Sequence, residues 1–321
     1  MTDICVSLRS IESFFVGGSE YTLSGLATQE RSMVLHGAPR RIDPNGDYVA
    51  GQMYVQAFRL AKPRSSLPVL FWHGGGMTGS QWETTPDGRP GWLWRFLNAG
   101  YDVLVSDSAE RGRSSWARYP EIYAEAPYFR TKNEAWEMFR MGPSGSYASA
   151  PNDRKPHADL KFPTEYFDEF AKQWVPRWSG HEDMILKAYG QLVEKVGPCI
   201  IVGHSQGAGF AAAIGQKYPD IVRAVIAIEP GGMPLAVAGP LPPHLIVWGD
   251  YMGEAGSVWK SYLQLVDSYV AKAGPSIGNR METLNLQEAG HTGNSHFPMC
   301  DTNSDDVAML LLEWLDRQSL K

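Results

Sequence analysis

The residues with the clearest chemical meaning are Gly203-His204-Ser205-Gln206-Gly207. They follow the apolar run Cys199-Ile200-Ile201-Val202 and precede a small-residue segment that opens at Ala208-Gly209-Phe210. A bare G-x-S-x-G pentapeptide arises often by chance. Between a strand and a helix it describes a sharp turn that lifts a serine hydroxyl out of the backbone. Glycines are needed on either side because the chain there is crowded and strained. The N–H groups that open the following helix favour developing negative charge. Ser205 is therefore the expected nucleophile.

A serine hydroxyl attacks only when a base takes its proton. Two histidines compete for that role in Gly290-His291-Thr292-Gly293-Asn294-Ser295-His296-Phe297-Pro298-Met299. His296 stands just before an apolar stretch and nearer the final helix, so it is the expected base, with His291 as the alternate. His36, His157 and His181 read as surface or structural residues, and His244, opening an apolar run, as structural. The base needs an anion to orient it. Glu229 ends the run 225–228 and Asp250 ends the run 245–249. Both fall at the carboxyl end of an expected parallel strand, where such sites are built, and position alone does not choose between them.

Acyl transfer also requires two N–H donors for an oxyanion. The backbone of Gln206, directly after the nucleophile, is one. The loop His73-Gly74-Gly75-Gly76-Met77-Thr78-Gly79 is the expected source of the other. It lacks the G-K-[ST] ending of a phosphate loop, and no G-x-G-x-x-G opens a helix here. His73, His204, His291 and His296 lack metal-ligand spacing, so no metal and no cofactor are expected.

The elements that must carry these residues are legible as a rhythm. Short apolar runs at 68–72, 101–106, 199–202, 222–228, 244–248 and 281–286 do not alternate, as strands buried on both faces read. An alternating strand over 48–60 precedes them. Between the later runs lie amphipathic helices: one carries Ile185, Ala188, Tyr189, Leu192, Val193 and Val196. Another runs from Val258 and is expected to stop at Gly274-Pro275. A last one carries Val307, Leu311 and Trp314, with Ser304 as its expected cap. Strands alternating with helices imply an α/β fold with a mostly parallel sheet flanked by helices. Residues 115–180 break the rhythm and hold fourteen of the chain's aromatic residues. Such an insertion is a lid over a site or extra core.

The chain has 321 residues, of which 43% are hydrophobic and 20% charged, which excludes a disordered chain. A net charge of −6 gives no basic footprint for nucleic acid. No apolar run is long enough to span a membrane. Asp3, Arg9 and Glu12 break up the N-terminus, which therefore lacks the apolar centre of a secretory signal. Cys5, Cys199 and Cys300 are odd in number and far apart, neither a disulfide framework nor a zinc pattern, and a reducing cytoplasmic setting is expected.

The order Ser205, acid, His296, with the G-x-S-x-G elbow and the His-Gly-Gly-Gly loop, resembles the α/β-hydrolase superfamily from about residue 50 to 318. More narrowly the chain resembles a small group of bacterial carboxylesterases. The matching stretches are His73-Gly74 through Thr78-Gly79, Trp82-Glu83-Thr84-Thr85-Pro86-Asp87-Gly88-Arg89, Arg111-Gly112-Arg113-Ser114, Gly203-His204-Ser205-Gln206-Gly207, Ile228-Glu229-Pro230 and Gly293-Asn294-Ser295-His296. In that group the acid is a Glu after the sixth strand. The resemblance implies an α/β-hydrolase fold with Glu229 as acid, His296 as base, and Gly75 as second oxyanion donor with Gly74 in reserve. It implies a core of residues 1–114 and 181–321. Only fourteen residues separate Glu229 from His244, so the aromatic insertion at 115–180 must supply any lid.

The function expected is hydrolysis of carboxylic esters or lactones of apolar small molecules, aromatic ones included, through an acyl-enzyme. A carbon–carbon bond hydrolase or lyase using the same Ser and His is the alternative, and a non-catalytic binding protein is a third. The partner expected is a small-molecule ester, with neither nucleic acid nor membrane. Exposed aromatics of the insertion would also suit a homodimer interface.

Overall fold

The computed structural model describes residues 5–253, 256–318 and 320. Its frame is an eight-stranded sheet. Strands β1 (Leu8–Leu23) and β4 (Gly46–Leu60) form a long antiparallel hairpin at one edge, and a small side hairpin, β2 (Gln29–Arg31) with β3 (Arg40–Ile42), interrupts the connection between them. The remaining strands are β5 (Val69–Trp72), β6 (Val103–Asp107), β7 (Cys199–His204), β8 (Val222–Ile228), β9 (His244–Trp248) and β10 (Met281–Asn285). They lie in the order β1-β4-β6-β5-β7-β8-β9-β10. From β6 to β10 every neighbour pairs in parallel, and β4 meets β6 antiparallel. All six expected central strands are present within two residues of their expected bounds.

The apolar runs do not alternate because both faces of the sheet are covered. Val69 and Phe71 pack into a cluster with Trp82, Trp92, Phe96 and Trp314. Their neighbours Leu70 and Trp72 point the other way, toward Tyr189, Leu192 and Ile214. This is the period of two expected of a strand, hidden in the sequence because each side finds a helix layer. Helices α1 (Trp92–Asn98) and α7 (Ser304–Arg317) cover one face, and α4 (Glu182–Val196) and α5 (Gln206–Lys217) the other. Helix α6 (Ser257–Ile277) packs through Trp259, Val266 and Tyr269 beside β9.

Two helix ends differ from expectation. Helix α6 runs through Pro275 to Ile277. In the last turn a proline forfeits one backbone hydrogen bond rather than a whole ladder, so it does not stop the helix. Ser304 is the first residue of α7, not its cap. Asn303 holds the cap position, with its side chain bonded to Asn294 instead of the helix, and Ser304 Oγ accepts from Arg89 Nη1 at 3.2 Å.

Residues 115–180 form two short helices, α2 (Lys132–Met138) and α3 (Phe167–Ala171), with irregular connections. Much of their aromatic content is buried. Trp136, Phe139, Phe162, Phe167 and Phe170 join the same cluster as Phe297, Met299 and α7, so the segment shares a core with the sheet. Trp116, Tyr119, Tyr128, Phe129 and Tyr166 stay exposed. Both junctions of the segment meet at the buried Glu110, which pairs with Arg111 and His181 and accepts the Trp178 N–H at 3.4 Å.

The parallel strands reverse direction of growth at β5. After β5 the chain adds β6 on one side and later returns to add β7 on the other. The crevice at the carboxyl ends of β5 and β7 is where ligands bind in open α/β sheets. The glycine loop follows β5 and Ser205 follows β7, so topology alone brings them together.

Candidate active site

Ser205 occupies the turn between β7 and α5 with φ of 53°, a left-handed conformation rare outside glycine. The surrounding glycines are required. A Cβ on Gly203 would meet the Gly207 carbonyl oxygen at 2.4 Å, and one on Gly207 would meet the His73 oxygen at 2.5 Å. Gly231 closes in from the other side: a Cβ there would stand 3.2 Å from Ser205 Oγ.

Of the two competing histidines, His296 lines one cavity with Ser205, Gln206, Gly74 and Gly75. His291 is partly exposed in the turn after β10, its backbone N–H bonded to Leu286, and it does not line that cavity. His296 is buried. Its Nδ1 donates to Glu229 Oε2 at 3.1 Å, which leaves Nε2 as the free basic nitrogen. Burial, with the Arg140 and Arg130 charges beyond it, holds its imidazole well below the usual histidine range, so it is neutral at rest. The ring stacks on Phe139 at 5.6 Å and meets the edge of Trp259 at 4.7 Å, and its backbone N–H donates to the Phe139 carbonyl.

Of the two candidate acids, Glu229 is the one beside His296. It follows β8, the sixth strand of the large sheet, in a left-handed turn with φ of 49°. Its carboxylate is fully buried. Oε2 faces His296, while Oε1 accepts from the Gly249 N–H at 2.5 Å and from Arg140 Nη2 at 2.7 Å. Asp250 turns elsewhere: its carboxylate accepts the Gly293 N–H, its own carbonyl accepts Arg140 Nε at 2.7 Å, and burial raises its pKa. It holds the backbone of the histidine loop rather than the ring.

Gly74 and Gly75 are distinguished by what their N–H groups already do. Gly74 donates to Gln81 Oε1 at 3.0 Å. Among the described residues no acceptor is found for the N–H of Gly75 or of Gln206, the first residue of α5. Gln81 links two halves of the site. Its Nε2 donates to His204 Nδ1 at 3.3 Å, and His204 Nε2–H donates to the His296 carbonyl at 2.8 Å. Burial pushes His204 well below its ordinary pKa, so it stays neutral in this chain. His73 is likewise neutral, pushed down to about 4 by burial, and donates from Nδ1 to the Gly74 carbonyl. The loop of His296 is pinned by the buried Asp301, which accepts from the backbone N–H and hydroxyl of Ser295 and from Asn294 Nδ2.

Gln81, Phe139, Arg140 and Trp259 escaped the sequence reading. None sits in a recognisable motif, and Phe139 and Arg140 come from the irregular segment. Among the described residues no group of three or more His, Cys, Asp or Glu side chains is placed to hold a metal ion. No helix among them is long and apolar enough to cross a membrane.

One cavity thus brings together a serine hydroxyl, an imidazole backed by a carboxylate, and two unengaged N–H groups, the set that acyl transfer requires. Comparison with known proteins agrees in kind. A family model described as alpha/beta hydrolase fold matches residues 68–292. The probable secreted lipase phiG of a fungal species (strain ATCC 74256) is 28% identical over 88% of this chain and 93% of its own length. The solved structure of a novel bacterial esterase superposes with a TM-score of 0.81 at 27% identity, covering 98% of both chains.

Proposed function

The chain belongs to the alpha/beta hydrolase fold family, and on that premise we propose that it is a serine hydrolase of carboxylic esters, open-chain or lactone, acting through an acyl-enzyme. The observation that carries this reading is the Glu229–His296 contact at 3.1 Å at the wall of the cavity that holds Ser205. The esterase and lipase relatives support it.

Ser205 Oγ attacks the ester carbonyl carbon as its proton passes to His296 Nε2. Glu229 holds the ring through Nδ1–H and faces the imidazolium that forms. The N–H groups of Gln206 and Gly75 receive the oxyanion. His296 then protonates the departing alkoxide. A water molecule, giving its proton to the same nitrogen, attacks the acyl-enzyme and releases the acid with Ser205 restored. The segment 115–180 serves as the cap over this site, since it contributes Arg130, Met138, Phe139 and Arg177 to the cavity wall. The substrate is a small molecule with an apolar part, which the recess around Phe210 and Met233 suits.

The test is labelling with a fluorophosphonate followed by peptide mapping, together with turnover of aryl esters. A single adduct on Ser205, and loss of hydrolysis in a folded Ser205→Ala variant, are expected. Turnover retained in that variant overturns the mechanism.

A further inference from the structure

The cavity of about 240 Å³ at Ser205 has an unusual wall. The segment 115–180 crosses the glycine loop, where the Val175 N–H donates to the Gly76 carbonyl at 2.9 Å. Two residues later Arg177 exchanges both backbone hydrogen bonds with Tyr128, at 2.7 and 3.1 Å. That pairing sets Arg130, two residues beyond Tyr128, on the same wall, and both arginines line the cavity with Ser205. Arg177 lies against Gly75: a Cβ there would stand 2.3 Å from its Nη1, so the missing side chain is what admits the guanidinium.

These charges are incompletely matched. The Arg130 side chain is 8% exposed, and its Nη1 lies 3.1 Å from Glu134 Oε1 but is misaligned, so that this buried nitrogen has no hydrogen-bond partner. Glu134 also accepts the Tyr128 hydroxyl. Among the described residues no carboxylate comes within ion-pair distance of Arg177, whose guanidinium lies 5.7 Å from the centre of the Tyr128 ring. Burial, with Arg177 as a like charge nearby, pulls Arg130 down to about 10. Glu182 lines this cavity but is exposed to solvent, and Glu229, behind His296, is occupied by Arg140 and His296. Arg130 Nη1 is thus buried without a hydrogen bond and Arg177 stands without an ion pair, and an anion in the cavity would give both guanidinium groups a partner. Planar guanidinium forks match a carboxylate in two-point fashion. On the far side of Gln206 and Gly231 the wall becomes mostly apolar, a recess of about 430 Å³ lined by Leu186, Phe210, Ala213 and Met233, with the exposed Glu182 shared between the two cavities.

We propose that the site takes esters that carry a carboxylate: Arg130 and Arg177 hold the anion, and the apolar remainder lies in the recess at Phe210 and Met233. The inference rests on the ester-hydrolase reading above and names its substrate class.

The experiment compares kcat/KM for matched esters with and without the charge. One pair puts it on the acyl side, 4-nitrophenyl hydrogen adipate against 4-nitrophenyl hexanoate. The other puts it on the alcohol side, 4-acetoxybenzoate against 4-methylphenyl acetate. In the wild type the charged member of at least one pair is favoured by about tenfold to hundredfold, the size of one or two charge-assisted hydrogen bonds, and less so at high salt. In Arg177→Gln and Arg130→Gln that ratio collapses toward one, with Arg177→Lys between. The wild-type ratio and its salt dependence stand even if a variant does not fold. Turnover of the neutral esters with no preference for the charged ones overturns this inference and leaves the hydrolase reading intact. An equal loss on charged and neutral esters in Arg177→Gln places that guanidinium on the oxyanion instead, and also overturns it. Failure of every ester, with Ser205 unlabelled by the fluorophosphonate, removes the hydrolase reading and the inference with it.

Discussion

Arg140 donates from Nη2 to Glu229 Oε1 at 2.7 Å, and both side chains are buried. One end of this pair belongs to the irregular segment 115–180 and the other to the turn after β8. The guanidinium is fixed a second time by its Nε bond to the Asp250 carbonyl and by the Trp259 ring, 4.5 Å away. With Oε1 so engaged, Oε2 is the oxygen left to face His296. The segment 115–180 therefore also fixes the orientation of Glu229.

Removing Arg140 leaves a buried carboxylate with no cationic partner and only the Gly249 and His296 N–H groups to hold it. Breaking a buried ion pair in this way costs roughly 3–5 kcal/mol, a fall in melting temperature on the order of 10 °C. Arg140→Met is expected to show that loss and a fall in kcat of about tenfold to hundredfold, with KM little changed, because no substrate contact is removed. Arg140→Lys keeps the charge without the fork and is expected to fall between. Thermal melts and steady-state kinetics on one neutral ester check this. An unchanged kcat in a folded Arg140→Met protein would show that Glu229 needs no such support.

The two strand-end acids should separate cleanly. In serine proteases, amidating the acid that orients the base costs on the order of 10⁴ in kcat, and Glu229→Gln is expected to approach that figure. Asp250→Asn keeps an amide oxygen that can accept the Gly293 N–H, and the side chain makes no bond to the imidazole ring. Its effect on kcat is expected to stay below about tenfold. The rate of fluorophosphonate labelling of Ser205 reports both variants without a choice of substrate. A greater loss in Asp250→Asn than in Glu229→Gln would reverse the assignment.

Stability should carry a signature from Asp301. Burial raises its carboxyl to about 7, against an ordinary 3.8, despite the donors around it. The folded protein thus holds this proton more tightly than the unfolded chain. The stabilisation it provides is full below about pH 4 and is lost as pH rises through 7. In Asp301→Asn the amide oxygen can accept the Asn294 and Ser295 N–H groups while its NH₂ donates to Ser295 Oγ. The melting temperature of that variant relative to wild type is expected to rise steadily between pH 4 and 8. A difference that stays flat across that range would show that Asp301 does not titrate there.

The sequence by itself determined the frame and the strained turn that carries Ser205. Period and apolar character placed six central strands nearly to the residue, because each strand must hide both faces from water whatever its neighbours are. Gly203-His204-Ser205-Gln206-Gly207 was readable because its strain is local: the two glycines answer to atoms within a few residues or one strand away. The choice of Glu229 over Asp250 did not follow from their positions, since both end a parallel strand. It came from resemblance, and in the structure it turns on a left-handed backbone at Glu229 and on the side to which each carboxylate points. The segment 115–180 shows the limit most clearly. Its aromatics announced something unusual, but which of them pack against Phe297, and which charges reach Ser205, depends on contacts across some thirty to a hundred and sixty residues of chain. Arg130, Arg140 and Arg177 have no local pattern to mark them. A guanidinium on an irregular chain acquires its role only from the partner that folding sets before it, Glu229 for Arg140 and the open face of Gly75 for Arg177.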